Sequence, residues 1–221
     1  IDSMMTQNVF ESLTTVAENG EVQPNLATSW EVSEDGLTYT FKLAEGVTFH
    51  DGSALDAEDV VYSFDRAMGE DSVTPSKDIF EPIESVKAVD SQTVEITLSG
   101  KDAFFLFNMG QGDSAIVASE SAETNNANPV GSGPFKFDSW TRGDRLTLVK
   151  NPDHRDAADV ALDKVVFRFI SDPAAATAAM MAEELDAFPG FPAPELLPQF
   201  EADPRFRVNV GSTEGEVILA M

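Results

Sequence analysis

Glu34 to Gly52 reads EDGLTYTFKLAEGVTFHDG. Its first half alternates: Tyr39, Phe41 and Leu43 fall on one side, Thr38, Thr40 and Lys42 on the other, which is the period of a half-buried strand. Asp35-Gly36 before it and Asp51-Gly52 after it are turn dipeptides. From Gly46 onward the alternation stops, and nothing local calls for an aromatic and a histidine at positions 49 and 50. Around this stretch the sequence predicts a strand meander, ATSWEVS (27–33), TYTFKLA (38–44) and VTFH (47–50), running into the helix DAEDVVYSFDRAMG (56–69). Asp56 suits the N-cap and Asp59 the N3 position of a capping box. Val60, Phe64, Ala67 and Met68 share one helical face, and Gly69 is a stop signal.

Outward from there, QNVFESL (7–13) is amphipathic and reads as helix. IESVKAVD (83–90) and TVEITLS (93–99) read as a hairpin around Asp90-Ser91-Gln92, and DAFFLFNM (102–109) as a short apolar helix or strand. SESAETNNANPVGSGP (119–134) is a long loop of turn formers and the best place for a subdomain boundary. FKFDSWT (135–141) and RLTLVKN (145–151) form a second hairpin around Arg142-Gly143-Asp144. KVVFRFI (164–170) is a strand, and SDPAAATAAMMAEELD (171–186) is a helix with Asp172 as N-cap and Pro173 at its first position. DAFPGFP (186–192) is extended and aromatic. RFRVNVG (205–211) and EVILAM (216–221) read as strands.

Composition bounds the partners. The chain has 221 residues, of which 42% are hydrophobic, with 14 Lys and Arg against 39 Asp and Glu and a formal net charge of -25. Mean hydropathy is -0.15. That balance argues against a nucleic-acid partner, which needs cations to neutralise phosphates, and against anionic membranes. No apolar run approaches the roughly 20 residues of a membrane helix. There is no cysteine, hence no disulfide, cysteine zinc site or thiol nucleophile. The first residues, IDSMMTQNVFESL, lack an initiator Met and a signal segment, and the last, GEVILAM, stop in mid-strand; both ends look cut, as in a fragment of a longer protein.

Motifs for catalysis are weak. GQGDSA (110–115) matches G-x-G-x-x-A, but a strand-like IVASES follows instead of a helix, so its glycines read as a turn. GSGPF (131–135) lacks the G-x-S-x-G spacing of a nucleophile elbow. His50 and His154 lie far apart, each in a turn beside an aspartate, and read as structural or solvent-facing. No cofactor and no metal site is expected. Phe188 and Phe191 differ from the other aromatics: Pro189, Gly190 and Pro192 break any regular element around them, and aromatics on an irregular loop often line a pocket.

NLATSWEVSEDGLTYTFKLAEGVTFHDGSALDAEDVVYSFDRAM (25–68) resembles the signature of the family 5 extracellular solute-binding proteins, the peptide- and nickel-type binding proteins of ABC importers. That pattern has a Leu-Ala-x-x-Trp strand, an acidic-Gly turn, Tyr-Thr-Phe-x-Leu, Gly-Val-x-Phe-His-Asp-Gly and an Ala-Glu-Asp-Val helix start. NVFESL (8–13) is similar to the family's NVYEGL, PVGSGPFKFDSW (129–140) to P-x-GTGPY-x-x-x-x-W, LVKNPDHRD (148–156) to RNPDYW, and AEELDAFPG (182–190) to its SGEVD segment. The sequence departs from the pattern at Ala44, where Arg is usual, at Ser132, where Thr is usual, and at His154-Arg155, where Tyr-Trp is usual.

The resemblance implies an α/β fold of the periplasmic binding protein type II kind. This chain would be the lobe-one portion, with a mixed sheet and an inserted α/β subdomain, and the second lobe would be absent. Residues 1–14 and 119–221 would form the lobe-one core, sharing one sheet and leading to the hinge, and 15–118 the inserted subdomain. Phe49 would be core, and His50-Asp51-Gly52 a turn into the capped helix. The implied function is capture without catalysis: a small ligand, foremost a di- or oligopeptide, held between two lobes and delivered to a membrane permease. Alternatives are a non-peptide solute (opine, oligosaccharide or nickel chelate), a hydrolytic enzyme, or a receptor or chaperone-like adaptor. The expected location is periplasmic, or extracellular and tethered through an anchor preceding this segment. By position in the family, the ligand-binding candidates are Ser3, Met4 and Met5; Phe188, Pro189, Gly190 and Phe191; Thr213, Glu214 and Gly215; and Ser76 and Lys77.

Overall fold

The computed structural model describes residues 2–191 and 193–211. The chain divides into two compact units at Phe167/Arg168.

In the first unit, α1 (Asp2–Met5) is a single turn. The helix expected over residues 7–13 does not form. Gln7 sits at φ 60, and the carbonyls a helix would use are taken by distant amides: Asn8 O by Phe135 N–H at 2.9 Å, Val9 O by Gly133 N–H at 2.9 Å, and Glu11 O by Ile116 N–H at 2.8 Å. The apolar spacing is still used, since Val9 and Leu13 are fully buried, but tertiary partners satisfy the backbone instead of helical ones. β1 (Thr14–Val16) and β2 (Val22–Pro24) form a small antiparallel ladder.

β3 (Ala27–Val32), β4 (Thr38–Leu43), α2 (Ala57–Met68), β5 (Ile83–Asp90) and β6 (Thr93–Leu98) form the main layer pair. The sheet order is β3-β4-β6-β5, antiparallel throughout. On β4 the alternation runs as read: Tyr39, Phe41 and Leu43 are buried, and Lys42 is exposed. α2 begins with a complete capping box, Asp56 accepting from Glu58 N–H and Asp59 accepting from Asp56 N–H, and it buries Val60, Phe64 and Ala67. Gly69 ends it at φ -58 with an extended ψ, so the stop does not use glycine's left-handed freedom. α3 (Phe105–Asn108) resolves the ambiguous apolar segment as one helical turn, with the Phe105 ring 4.6 Å from Tyr39.

VTFH is not a strand; it contributes only the bridge Thr48–Ala54. Phe49 enters the core at 2% exposure. The His50 ring reaches across to the 119–134 loop. Its Nδ1 accepts from Gly131 N–H at 3.3 Å, which leaves the hydrogen on Nε2, donated to Gly133 O at 2.9 Å. The backbone adds His50 N–H to Gly131 O at 2.8 Å. The two glycines are required by close approach: a Cβ on Gly131 would stand 1.9 Å from Val9 O, and one on Gly133 2.4 Å from Asn8 O. So His50 clamps the Gly131–Gly133 segment, and the two glycines in turn admit the backbone of residues 8 and 9.

β7 (Phe135–Thr141), β8 (Arg145–Lys150) and β9 (Lys164–Arg168) form a second sheet in that order. Asn8 O accepts from Phe135 N–H at the start of β7, and Val9 O from Gly133 N–H just before it.

In the second unit, α4 (Pro173–Met181) is capped as read, Asp172 accepting from Ala175 N–H at 2.7 Å with Pro173 at the start. It stops earlier than the sequence suggests, with Glu183 at φ 58 just beyond. α5 (Leu197–Glu201) follows. Residues 205–211 join no strand ladder, and 216–221 lie outside the described residues.

Candidate functional site

A cleft of about 1070 Å³ opens within the first unit. Met5, Thr6, Gln7 and Phe10 form one wall, and Arg66 with Val73, Thr74 and Pro75 another. Gln111–Asp113 and Ala115, the loop 125–129, and Phe137, Trp140 and Leu146 complete it. The segment 5–10 is shaped by Met5 O, which accepts from both Val9 N–H and Phe10 N–H. A non-glycine residue in the left-handed region, as Gln7 is, costs roughly 1–3 kcal/mol and persists only where its surroundings over-determine it. Gly112 presses on this wall: a Cβ there would come 2.4 Å from Thr6 Oγ1. The motif GQGDSA therefore serves close packing. A 3-10 turn (Gly112–Ser114) follows Gly110, without the helix a dinucleotide site needs.

The lining mixes apolar rings with amides. Gln7, Gln111, Asn125 and Asn126 can each donate and accept, while Phe10, Phe137 and Trp140 give apolar surface backed by the buried Met5 and Leu146. Among the described residues Trp140 Nε1 is buried without a hydrogen-bond partner, and the Arg142 guanidinium lies 4.9 Å from its ring centroid. Arg66 lines the cleft as a cation with no ion pair among the described residues, and Asp113 lines it as an anion.

Behind the wall is a buried polar cluster centred on Glu11, which is 3% exposed. Glu11 accepts from both terminal nitrogens of Arg155 and, at 2.8 Å, from Ser132 Oγ; His154 Nε2 lies 3.5 Å away. His154 Nδ1 accepts from Asp156 N–H, which puts its ring hydrogen on the Glu11 side. Burial pushes the Glu11 carboxyl up, but the bonds from His154, Arg155 and Ser132, with the Arg155 charge, outweigh it and hold the group below its ordinary value. His50 is lowered chiefly by burial, against the bond to Gly133. Both histidines are therefore structural. Among the described residues no group of three or more His, Cys, Asp or Glu could hold a metal ion, and no helix is long and apolar enough to cross a membrane.

The candidates from sequence fall in separate places. Met5 lines the cleft. Met4 is half-buried, its carbonyl accepting from Asn8 Nδ2 at 3.0 Å, and Ser3 lies in α1. Ser76 and Lys77 open a 3-10 turn (Lys77–Phe80) directly after the cleft residue Pro75. Phe188 and Phe191 are half-buried in the second unit, edge to face at 5.5 Å, and they start an aromatic row that continues through Phe200 and Phe206. Pro189 and Gly190 are exposed between them, Gly190 at φ 63. Thr213, Glu214 and Gly215 lie outside the described residues. Sequence reading missed Gln7, Phe10, Arg66, Phe137, Trp140 and Leu146. Trp140 and Leu146 sit in a hairpin that was legible, but which face of that hairpin meets a cleft has no local signature.

The profile of the bacterial extracellular solute-binding proteins, family 5, middle region, matches residues 21–221. The Pseudomonas aeruginosa di/tripeptide-binding protein 4 is 32% identical over 218 residues, covering 86% of this chain and 40% of that protein. Among solved structures, the periplasmic binding protein DppA of Helicobacter pylori in complex with the peptide STSA superposes with a TM-score of 0.79 at 32% identity, covering 89% of this chain and 43% of its own. NikZ of Campylobacter jejuni in complex with Ni(L-His) gives 0.80 at 28%, covering 90% and 40%. The chain thus spans about two fifths of the proteins it matches, and its neighbours have the type II periplasmic binding protein fold.

Proposed function

The chain belongs to the bacterial extracellular solute-binding proteins, family 5, and from that premise we propose that it supplies the lobe-one side of a capture site for a di- or oligopeptide in the binding component of an ABC importer. The observation that carries the reading is the cleft. Its volume of about 1070 Å³ stands at the upper end of the roughly 300–1,000 Å³ of small-molecule sites. Its amides can pair with a ligand's main chain while its rings tolerate varied side chains, the division of labour that peptide recognition uses. Arg66 suits a ligand carboxylate, and Asp113 an ammonium.

Capture proceeds without bond chemistry. A second lobe closes over the ligand, and closure is favoured only by contacts that exist in the closed state. In this reading residues 1–14 and 119–221 are the core of lobe one, and 15–118 its inserted subdomain. Met5 contacts the ligand, with Ser3, Met4, Ser76 and Lys77 beside it. Phe188, Pro189, Gly190 and Phe191 in the second unit, and Thr213, Glu214 and Gly215 beyond the described residues, are ligand-binding candidates by their position in the family. The closed complex is handed to a permease outside the cytoplasm. A metal chelate in the same cleft is the second reading, favoured by the likeness to the Ni(L-His) complex.

Native mass spectrometry of the full-length protein identifies the bound species and separates peptide from chelate. Hydrogen exchange with and without that species then tests the site. Protection of segments 4–10, 111–115 and 125–129 is expected; protection of none of them overturns the assignment to this cleft.

A further inference from the structure

We infer that Arg155 is a positioning residue for the cleft: by bonding Glu11 and Asn25 together it fixes the orientation of Gln7 in the cleft wall. The inference rests on the reading of that cleft as the ligand site. Arg155 Nη1 donates to Glu11 Oε2 at 3.1 Å, and Nη2 donates to Asn25 Oδ1 at 2.6 Å as well as to Glu11. Asn25 Nδ2 donates to Ser12 O at 3.1 Å and to Gln7 Oε1 at 3.3 Å, and Gln7 Nε2 to Gly110 O at 3.4 Å.

The order of donors along this relay is forced from both ends. Arginine carries no acceptor, so the oxygen of Asn25 must face it and the Asn25 amide nitrogen must face Gln7. At the far end Gly110 O can only accept, so Gln7 must present its nitrogen there. The two constraints agree, and together they leave Gln7 a single amide orientation. Gln7 is also the cleft residue whose backbone is least at ease, at φ 60. Its backbone is held by the bond from Gln7 N–H to Phe10 O at 2.8 Å, and the relay adds the bonds that hold its side chain.

The guanidinium is needed for its shape. Its planar fork reaches a carboxylate and an amide oxygen at once, which the single nitrogen of lysine does not do with the same geometry. Glu11 anchors the fork rigidly because Ser132 and His154 occupy its remaining bonding directions.

The test uses the full-length protein containing this chain, with ¹⁵N-labelled glutamine side chains, the Gln7 resonance being assigned by its disappearance in Gln7→Glu. Asn25→Asp keeps an acceptor for Arg155 but cannot donate to Gln7. Arg155→Lys keeps the charge beside Glu11 but not the fork. Both are compared with Arg155→Met, each checked for native circular dichroism. The expected result is that the Gln7 side-chain resonance moves to the position of free glutamine in every folded variant, and that trialanine, the probe, binds at least tenfold more weakly. A Gln7 resonance unmoved in folded Asn25→Asp and Arg155→Lys overturns the inference, whether or not Arg155→Met folds. If the resonance moves as expected but trialanine perturbs no cleft resonance of the unmutated protein, the positioning stands and the reading of the cleft fails separately.

Discussion

Replacing one hydrogen at Gly131 with a methyl group sets backbone against backbone, because the added Cβ would lie 1.9 Å from Val9 O. Neither side is a flexible side-chain end, so Gly131→Ala should cost about 3 kcal/mol or more, the upper range for overpacking. Gly20 is the control: at φ +80 with nothing within 4 Å, Gly20→Ala should cost only about 1–2 kcal/mol of left-handed strain. Urea unfolding of the two variants ranks them, and an equal cost would remove the clamp argument. The histidine half of that clamp predicts a pH dependence. His50 is lowered from 6.5, first by burial, so as pH falls the unfolded chain takes up a proton before the folded one. Its contribution is complete above about pH 6.5 and is lost progressively below it. Glu11, held below its ordinary 4.5, contributes above that value and is lost only as pH falls through its lower folded value. The urea midpoint should therefore drop between pH 7 and pH 5 in the unmodified chain, and His50→Gln should flatten that drop while leaving the steeper loss below pH 4.5. An unchanged slope between pH 7 and pH 5 in His50→Gln would assign the acid sensitivity elsewhere.

Among the elements, α2 is held at its start by reciprocal bonds, Glu58 N–H to Asp56 Oδ1 at 2.9 Å and Asp56 N–H to Asp59 Oδ2 at 3.0 Å. Loss of the cap in Asp56→Ala should cost about 1 kcal/mol. Because the two carboxylates serve one motif, Asp56→Ala with Asp59→Ala should cost less than the sum of the single changes. Thermal unfolding of the three variants measures the cycle, and strict additivity would mean that the box does not act as a unit. The segment 7–13 teaches the opposite lesson about elements. Its helical spacing is sound, yet three of its carbonyls are claimed by Phe135, Gly133 and Ile116, and tertiary hydrogen bonds win over local ones where both satisfy the same groups.

For the whole molecule, the proposed division of a capture site between two lobes carries its own arithmetic. A micromolar complex is worth about -8.2 kcal/mol after association and ordering costs of roughly 4–15 kcal/mol. On that proposal most of the cost is incurred whichever lobe binds first, so lobe one by itself keeps far less than half of the net free energy. Calorimetry with the ligand identified on the full-length protein, titrated into this 221-residue chain, should show binding weakened at least a hundredfold. Affinity within tenfold of the intact protein would mean that this chain holds the site alone.

What the sequence determined by itself is local and periodic: the alternation of Tyr39, Phe41 and Leu43, the capping residues Asp56, Asp59 and Asp172, both hairpin turns, and a run of motifs specific enough to give the family. Each depends on neighbours a few residues away, so one chain segment suffices to read it. Folding in three dimensions is what sets His50 against Gly131 and Gly133, fits those glycines to Asn8 and Val9, and buries Glu11 against Arg155. It also decided that the walls of the cleft come from five stretches between Met5 and Leu146. These depend on contacts between residues as much as 144 positions apart, and the residue types alone carry no record of which distant partner satisfies a buried carboxylate, amide or carbonyl.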